Sequence, residues 1–376
     1  MSVTSVCLEL GASLGHVQDG SYDSRGLFKD WDWFGREGLW GFVGMALSLA
    51  IIVGVCSVVP ILFVWVERRG SGRIHQRKGP NRVGPFGLLQ TLADGIKLMF
   101  KEDIIPANAS RFLFMIAPGL VLAGVFAAFA LLPLSSTGVI VDAPLGIYII
   151  AAVLSLEVIG VIMAGWASNN KWAILGAMRE AAQMISYEVP MGLCILLAII
   201  CHDGELSLRA MSENQAGGFL NVGNWLIFSN PLFAFPAFVI FFIACLANTK
   251  RAPFDLPEAE SELVSGFHTE YSGIRFSFFF LEEYASMFLV SAVTVMMFLG
   301  GWNIPFVPGE MLTGGFVGEV LAIGSTLVKT FFLVWVMIWV RWTLPRIRVD
   351  QVMTLCYKYL TPLAFLCLLG SCFWEA

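Results

Sequence analysis

The feature that most constrains this chain is a series of eight apolar runs, each close to the length a helix needs to cross about 30 Å of hydrocarbon. They lie near residues 39–66, 112–134, 144–167, 186–201, 231–249, 276–300, 317–340 and 354–373. The fourth is short, and the second and fifth carry internal prolines. Hydrocarbon offers no partner to a backbone N–H or C=O, so a spanning segment must satisfy its own hydrogen bonds. The expected fold class is therefore all-α: a polytopic membrane protein with about eight transmembrane helices. Composition agrees. Hydrophobic residues make up 57% of the 376, charged residues 14%, and the mean hydropathy is +0.76. A soluble domain is about one-quarter charged.

Basic residues gather in alternate links. The link after the first run holds Arg68, Arg69, Arg73, Arg77, Lys78, Arg82, Lys97, Lys101 and Arg111. Lys171 and Arg179 follow the third run, Lys250, Arg251 and Arg275 the fifth, and Arg341, Arg346 and Arg348 the seventh. The intervening links hold Arg209, with Asp142, Asp203, Glu205, Glu213 and Glu310. Membrane proteins keep Lys and Arg on the cytoplasmic side. Segments 67–111, 168–185, 250–275 and 341–353 are thus expected on that side, and both termini on the other. Residues 39–376 read as one membrane domain. Residues 1–38 are polar, with Asp19, Asp23, Asp30 and Asp32, and lack the basic start of a signal peptide. They read as an extension on the non-cytoplasmic face.

Within the first basic link, Leu88, Leu92, Ile96 and Met99 share one helical face, opposite Gln90, Asp94, Lys97 and Lys101. That pattern predicts an amphipathic helix lying in the interface or docked on a partner. Because the basic residues alternate with spans, no basic face for nucleic acid forms. The eight cysteines make no Cys-x-x-Cys pair, and the four histidines are scattered. Metal, haem or iron–sulfur ligation within the chain is not expected. No internal repeat is evident, which speaks against a transporter built on inverted repeats.

Three cytoplasm-side segments are more polar than connectors require. The first runs from Glu67-Arg68-Arg69 through Arg77-Lys78-Gly79-Pro80-Asn81 to Glu102-Asp103. The second runs from Gly165-Trp166-Ala167-Ser168 through Arg179 to Ser186-Tyr187-Glu188. The third is Arg251-Ala252-Pro253-Phe254-Asp255-Leu256-Pro257-Glu258-Ala259-Glu260-Ser261-Glu262, continuing to Gly273. Each has an ordinary structural account. Pro257 before Glu258 and Glu260 fits a helix start, and Gly79-Pro80-Asn81 is turn chemistry. The ionisable residues within the apolar runs are costlier. Glu157, Glu188, Glu282, Glu283, Glu319 and Lys329 each carry a penalty of about 3 kcal/mol at bilayer depth. Such groups face a cavity or one another. The structural alternative is a static ion pair, for example at Lys329, or snorkelling at Glu319.

Together these segments resemble the membrane subunit family that seals the quinone chamber of proton-pumping NADH–quinone oxidoreductases, respiratory complex I. The resemblance runs from about Glu67 to Leu369. It also rests on Glu283-Tyr284 and on Arg341 to Pro345-Arg346-Ile347-Arg348-Val349-Asp350-Gln351. It implies a chain without redox centres, working with NADH, FMN and iron–sulfur clusters held by peripheral-arm subunits, and with neighbouring membrane subunits, lipid and a ubiquinone or menaquinone substrate. By position, Glu67, Arg68 and Arg77 match the channel mouth and wall, and Arg251, Asp255, Glu258, Glu260 and Glu262 the acidic chamber loop. Glu188 and Glu283 match buried acids at the start of the proton path, with Glu157 near another acid of variable register. Lys329 and Arg346 match basic positions, which places Lys329 with Glu157, Glu188 and Glu283 in the proton relay and Arg346 in the chamber. The setting expected is a bacterial inner membrane, with the mitochondrial inner membrane as the alternative.

Departures are Asn248 where an acid is common, His75 where Gln is usual, and Glu282 as an added acid beside Glu283. The alternatives are the membrane anchor of a related hydrogenase or other-donor dehydrogenase, an ion-coupled transporter, and a purely structural anchor.

Overall fold

The computed structural model describes the backbone of residues 39–136, 138–217, 221–258, 260–307, 312 and 316–375. The N-terminal extension and Glu310 lie outside the described residues. Seven of the described helices are long and apolar enough to cross a membrane, and an eighth, shorter apolar helix accompanies them. The protein is a polytopic all-α membrane protein.

The first helix, α1 (Leu39–Ile74), contains Pro60 and has Arg73 in its last turn. Its 36 residues extend about 54 Å at 1.5 Å per residue. The helix therefore continues through Glu67, Arg68 and Arg69 and carries them beyond the apolar run. The amphipathic segment forms α2 (Gln90–Phe100), tied back to α1 by an ion pair between Arg68 and Asp94. Next come α3 (Arg111–Ala130), then α4 (Gly146–Leu154) and α5 (Leu156–Ala167), which make one span bent at Ser155. At the bend, the Ser155 hydroxyl donates to the Ala152 carbonyl at 2.7 Å.

Helix α6 (Lys171–Cys201) has 31 residues, far longer than the run at 186–201. Its start is fixed by Asn170. That side chain accepts from the Trp172 amide at 3.1 Å and donates to Glu270 at 2.7 Å. After α7 (Leu208–Asn214) comes the short apolar helix α8 (Ala234–Asn248). Its 15 residues cover about 22 Å, less than a full span. The central helix is α9 (Gly273–Phe298), buried at every position from Glu282 to Phe298. Helix α10 (Phe316–Thr343) packs beside it. The chain closes with α11 (Val349–Thr354) and α12 (Thr361–Glu375), joined by a π-helical turn.

Small residues set the helix spacing. A Cβ on Gly160 of α5 would lie 3.2 Å from the Val121 amide nitrogen of α3, and one on Gly165 would meet the Ala173 backbone at 2.7 Å. Close backbone approach is the usual basis of helix packing where lipid removes the hydrophobic drive. The same logic pins the acidic loop. Gly266 holds φ +60, and a Cβ there would overlap the Pro257 carbonyl oxygen. A Cβ on Gly176 of α6 would lie 2.9 Å from the Phe267 amide nitrogen. The loop is thus closed on itself at Gly266 and seated on α6 at Gly176.

Candidate functional site

The two ends of the helix bundle differ in chemistry. At the end formed by α7 and the last turn of α9, the buried joints are neutral amides, with a partly exposed Arg209 of α7 pairing with Asp142 and Glu213 at the rim. Gln215 donates to the Met296 carbonyl and accepts from the Gly300 amide, both at 2.9 Å, and Asn303 donates to the Ser212 carbonyl at 2.8 Å. The ammonium there, Lys329 of α10, donates to the carbonyls of Leu299, Gly301 and Asn303 at 2.7–2.9 Å. It also sits 4.1 Å from the Trp225 ring. Among the described residues no carboxylate lies within ion-pair distance of it.

At the opposite end, charges converge from helices far apart in sequence. Arg251, directly beyond α8, is almost fully buried. Its guanidinium donates to Glu67 of α1 at 2.6 Å and lies 2.7 Å from Glu283 of α9. Arg341 of α10 pairs with the other oxygen of Glu67. The Tyr284 ring lies under Arg251 at 4.1 Å. Burial opposes the Arg251 charge, but Glu283 and Glu67 outweigh it and hold its pKa well above the ordinary value.

The turn at Arg251 leads into the acidic loop through a cis Ala252–Pro253 peptide. The Ile347 amide donates to the Pro253 carbonyl at 3.0 Å, which docks the segment after α10 on this loop. Arg346 pairs with Asp255 at 2.8 Å. Burial raises the Asp255 carboxyl above its ordinary value despite Arg346. Glu258, 3.6 Å from His268, is pushed up to about 7, first by burial and then by the Asp255 charge. Glu262 is exposed and hydrogen-bonded to Arg179, which holds its carboxyl below the ordinary value. The Glu260 backbone opens a one-turn helix, Glu260–Leu263; its side chain and Ala259 lie outside the described residues.

A second buried cluster adjoins the first. Lys250 Nζ lies 2.6 Å from Glu157 of α5, 3.4 Å from Glu282 of α9 and 3.7 Å from Glu180 of α6. All four side chains are at most 3% exposed. Burial opposes the ammonium, yet the three carboxylates hold the Lys250 pKa well above its ordinary value.

Glu188 stands apart. It lines an open cavity of about 310 Å³ with Tyr148, Ser155, Tyr187 and Asn248. Tyr187 donates to the Asn248 side-chain oxygen at 2.5 Å. Arg68 and Arg77 line another cavity, of about 490 Å³, between the end of α1 and α2, with Lys78 and Asp94. A third, of about 480 Å³, lies between α1 and α10 beside Trp65, Arg69, Trp335 and Trp339.

Of the residues singled out from sequence, Glu67, Arg251 and Glu283 meet in one network, and Asp255 and Arg346 pair beside it. Arg68 and Arg77 share a cavity wall. Glu157 lies in the Lys250 cluster, while Glu188 and Lys329 lie elsewhere. Glu180, Lys250 and the Arg341–Glu67 pair were not singled out as site residues from sequence. Glu180 was detectable in principle, because Ala173, Gly176, Ala177, Glu180, Gln183, Met184 and Tyr187 fall on one buried stripe of α6 at helical spacing.

An all-helical bundle of long apolar helices, with clusters of ionisable side chains buried at one end, defines a multi-pass membrane protein. Residues 47–372 match the family model described as NADH dehydrogenase. The NADH-quinone oxidoreductase H subunit of Anaeromyxobacter dehalogenans is 45% identical over 92% of this chain and 85% of its own length. That of Chlorobium luteolum is 43% identical over 90% of this chain and 92% of its own. The corresponding protein of Rhodothermus marinus, named as the eighth subunit of its NADH-quinone oxidoreductase, is 44% identical over 85% of this chain and 93% of its own. The chain belongs to the family of NADH-quinone oxidoreductase H subunits, membrane components of complex I.

Proposed function

We propose that this chain forms the quinone entry channel and chamber of a proton-translocating NADH–quinone oxidoreductase, together with the peripheral-arm subunits, in a bacterial plasma membrane. We further propose that it begins the proton path from quinone reduction to the pumping subunits. The observation that carries this reading is the network of Glu67, Arg251, Glu283 and Arg341, which joins α1, the acidic loop, α9 and α10.

In this reading the isoprenoid tail lies on apolar helix surface while the polar headgroup meets Arg68, Arg77 and the inner network. NADH, FMN and the iron–sulfur clusters belong to partner subunits and deliver electrons. Reduction draws protons to the quinone, and negative charge left behind is felt by Asp255 and Glu258, whose carboxyls are already raised by burial. Glu283, Glu157 and Glu188 are the acids through which protons are passed outward, and Glu260 and Glu262 complete the negative loop. The names of the relatives, each a quinone oxidoreductase component, support quinone as the substrate.

A quinone analogue carrying a photoreactive group tests this in the intact complex. Label on segments 67–82 or 251–275 is expected. Label confined to the loops at the opposite membrane face would overturn the reading.

A further inference from the structure

The Lys250 cluster carries an imbalance of charge. Three carboxylates surround one ammonium, so the fully ionised cluster would hold two uncompensated negative charges. All four side chains are excluded from solvent. The ionisable groups facing the cluster are Glu258 from the acidic loop, Glu283 from α9, Tyr187 from α6 and Cys245 from α8. The adjacent cation, Arg251, is already engaged by Glu67 and Glu283. Helix α3, which packs on α5 and α9, brings no ionisable side chain after Arg111. Like charges packed this closely in a dry interior do not all remain ionised. A cluster of this kind holds protons jointly rather than one residue at a time.

The members are not equivalent. Lys250 is closest to Glu157 and farthest from Glu180. The oxygens of Glu157 and of Glu180 make no hydrogen bond beyond their contact with the ammonium, and that contact is 2.6 Å for Glu157 but 3.7 Å for Glu180, whose side chain is 0% exposed. Its ionised form is therefore the least supported of the three by direct contact. The cluster also has an outlet. Tyr187 lies within electrostatic reach of Glu157, Glu180 and Glu188. Its hydroxyl is bonded to Asn248, and both residues line the cavity that holds Glu188.

We propose that Glu157, Glu180 and Glu282, gathered on the Lys250 ammonium, form a buried proton-holding site that exchanges with the Glu188 cavity past Tyr187 and Asn248, with Glu180 taking up and releasing the exchangeable proton. On uptake an O–H bond forms at Glu180 and the cluster loses one negative charge. On release that bond breaks and the proton leaves towards Glu188. No electron moves within the chain. The proposal rests on the function proposed above and adds to it Glu180, Glu282 and Lys250 as members of the proton path.

The test uses the assembled complex in native membrane vesicles carrying Glu180→Gln or Glu180→Asp. NADH-driven quinone reduction and proton uptake are followed from neutral to alkaline pH. Gln is isosteric and cannot release a proton. It is expected to lower proton uptake about a hundredfold, the low side of what losing a positioned proton-transfer group costs. It should also flatten the pH profile. Asp should restore most of the rate with a displaced profile. Glu180→Gln within twofold of the unaltered complex, with the same profile, overturns the proposal. Equal loss in both variants also overturns it, since that marks a purely structural role. Should Glu180→Gln not assemble, Glu282→Gln decides by the same criteria. Photolabelling of segments 67–82 and 251–275 in the unaltered complex reports on the chamber reading separately, so failure of one is not mistaken for failure of the other.

Discussion

Arg251 and Glu67 are 184 residues apart in sequence, yet the guanidinium of one donates to the carboxylate of the other at 2.6 Å. Arg251 stands just past α8 and Glu67 stands on α1, so this pair closes the inner end of the bundle between elements distant in the chain. A buried ion pair contributes little net stability when intact, but removing one partner leaves an uncompensated charge that costs about 3–5 kcal/mol. Arg251→Met should therefore abolish or sharply lower assembly, read on a native gel. Arg251→Lys keeps the charge but not the planar fork that reaches both Glu67 and Glu283. It should assemble with reduced thermal stability. Normal assembly of Arg251→Met would show that the network does not hold the helices together.

Glu258 sets a pH dependence whose sign is fixed. Its pKa is raised from the ordinary 4.5 to about 7 by burial, so between these values the folded chain binds more protons than the unfolded one. Stability contributed by this group therefore falls as pH rises through that window. In Glu258→Gln the fall should be shallower. Thermal inactivation of the purified complex measured across the window checks this, and an unchanged slope in the variant would assign the dependence to another group.

Glu188 borders an open cavity and has no ion pair within the described part of the chain. Its replacement by Gln should cost little in assembly. If Glu188 passes protons, coupled NADH-driven quinone reduction and pumping should both collapse in the assembled variant. Persistence of both at the unaltered level would make Glu188 a structural acid.

Lys329 makes a different kind of contact from the inner charges, because all three of its hydrogen-bond acceptors are backbone carbonyls just after α9. Hydrogen bonds from a charged donor are each worth about 1.5–3 kcal/mol. Lys329→Met should lower the melting temperature of the complex clearly. An unchanged melting temperature with lost pumping would point instead to a role in proton transfer.

Much of this architecture is legible in the sequence, because hydrocarbon imposes helices on long apolar runs whatever their partners. The exceptions are instructive. The run at 186–201 marks only the apolar end of α6, since Arg179, Glu180 and Gln183 lower the hydropathy of the preceding turns although Glu180 and Gln183 are buried. Lys250 and Arg251 look like loop residues obeying the positive-inside rule, yet both are at most 3% exposed. Composition cannot distinguish a solvated cation from one neutralised by acids on three other helices, because that pairing exists only in the tertiary structure. Glu283 is legible as a costly charge and Glu67 as the start of a polar segment, but not as partners of one arginine.

The glycine closure at Gly266 and the seat of Phe267 on Gly176 bear on how the acidic segment can respond to a change of charge. A segment anchored at its tip and stapled to a 31-residue helix has no freedom to flap open like a lid. Displacement of Asp255 or Glu258 is instead shared between two anchors: α6, the rod that carries Glu180 and Glu188, and the segment after α10 that holds Asp255 through Arg346.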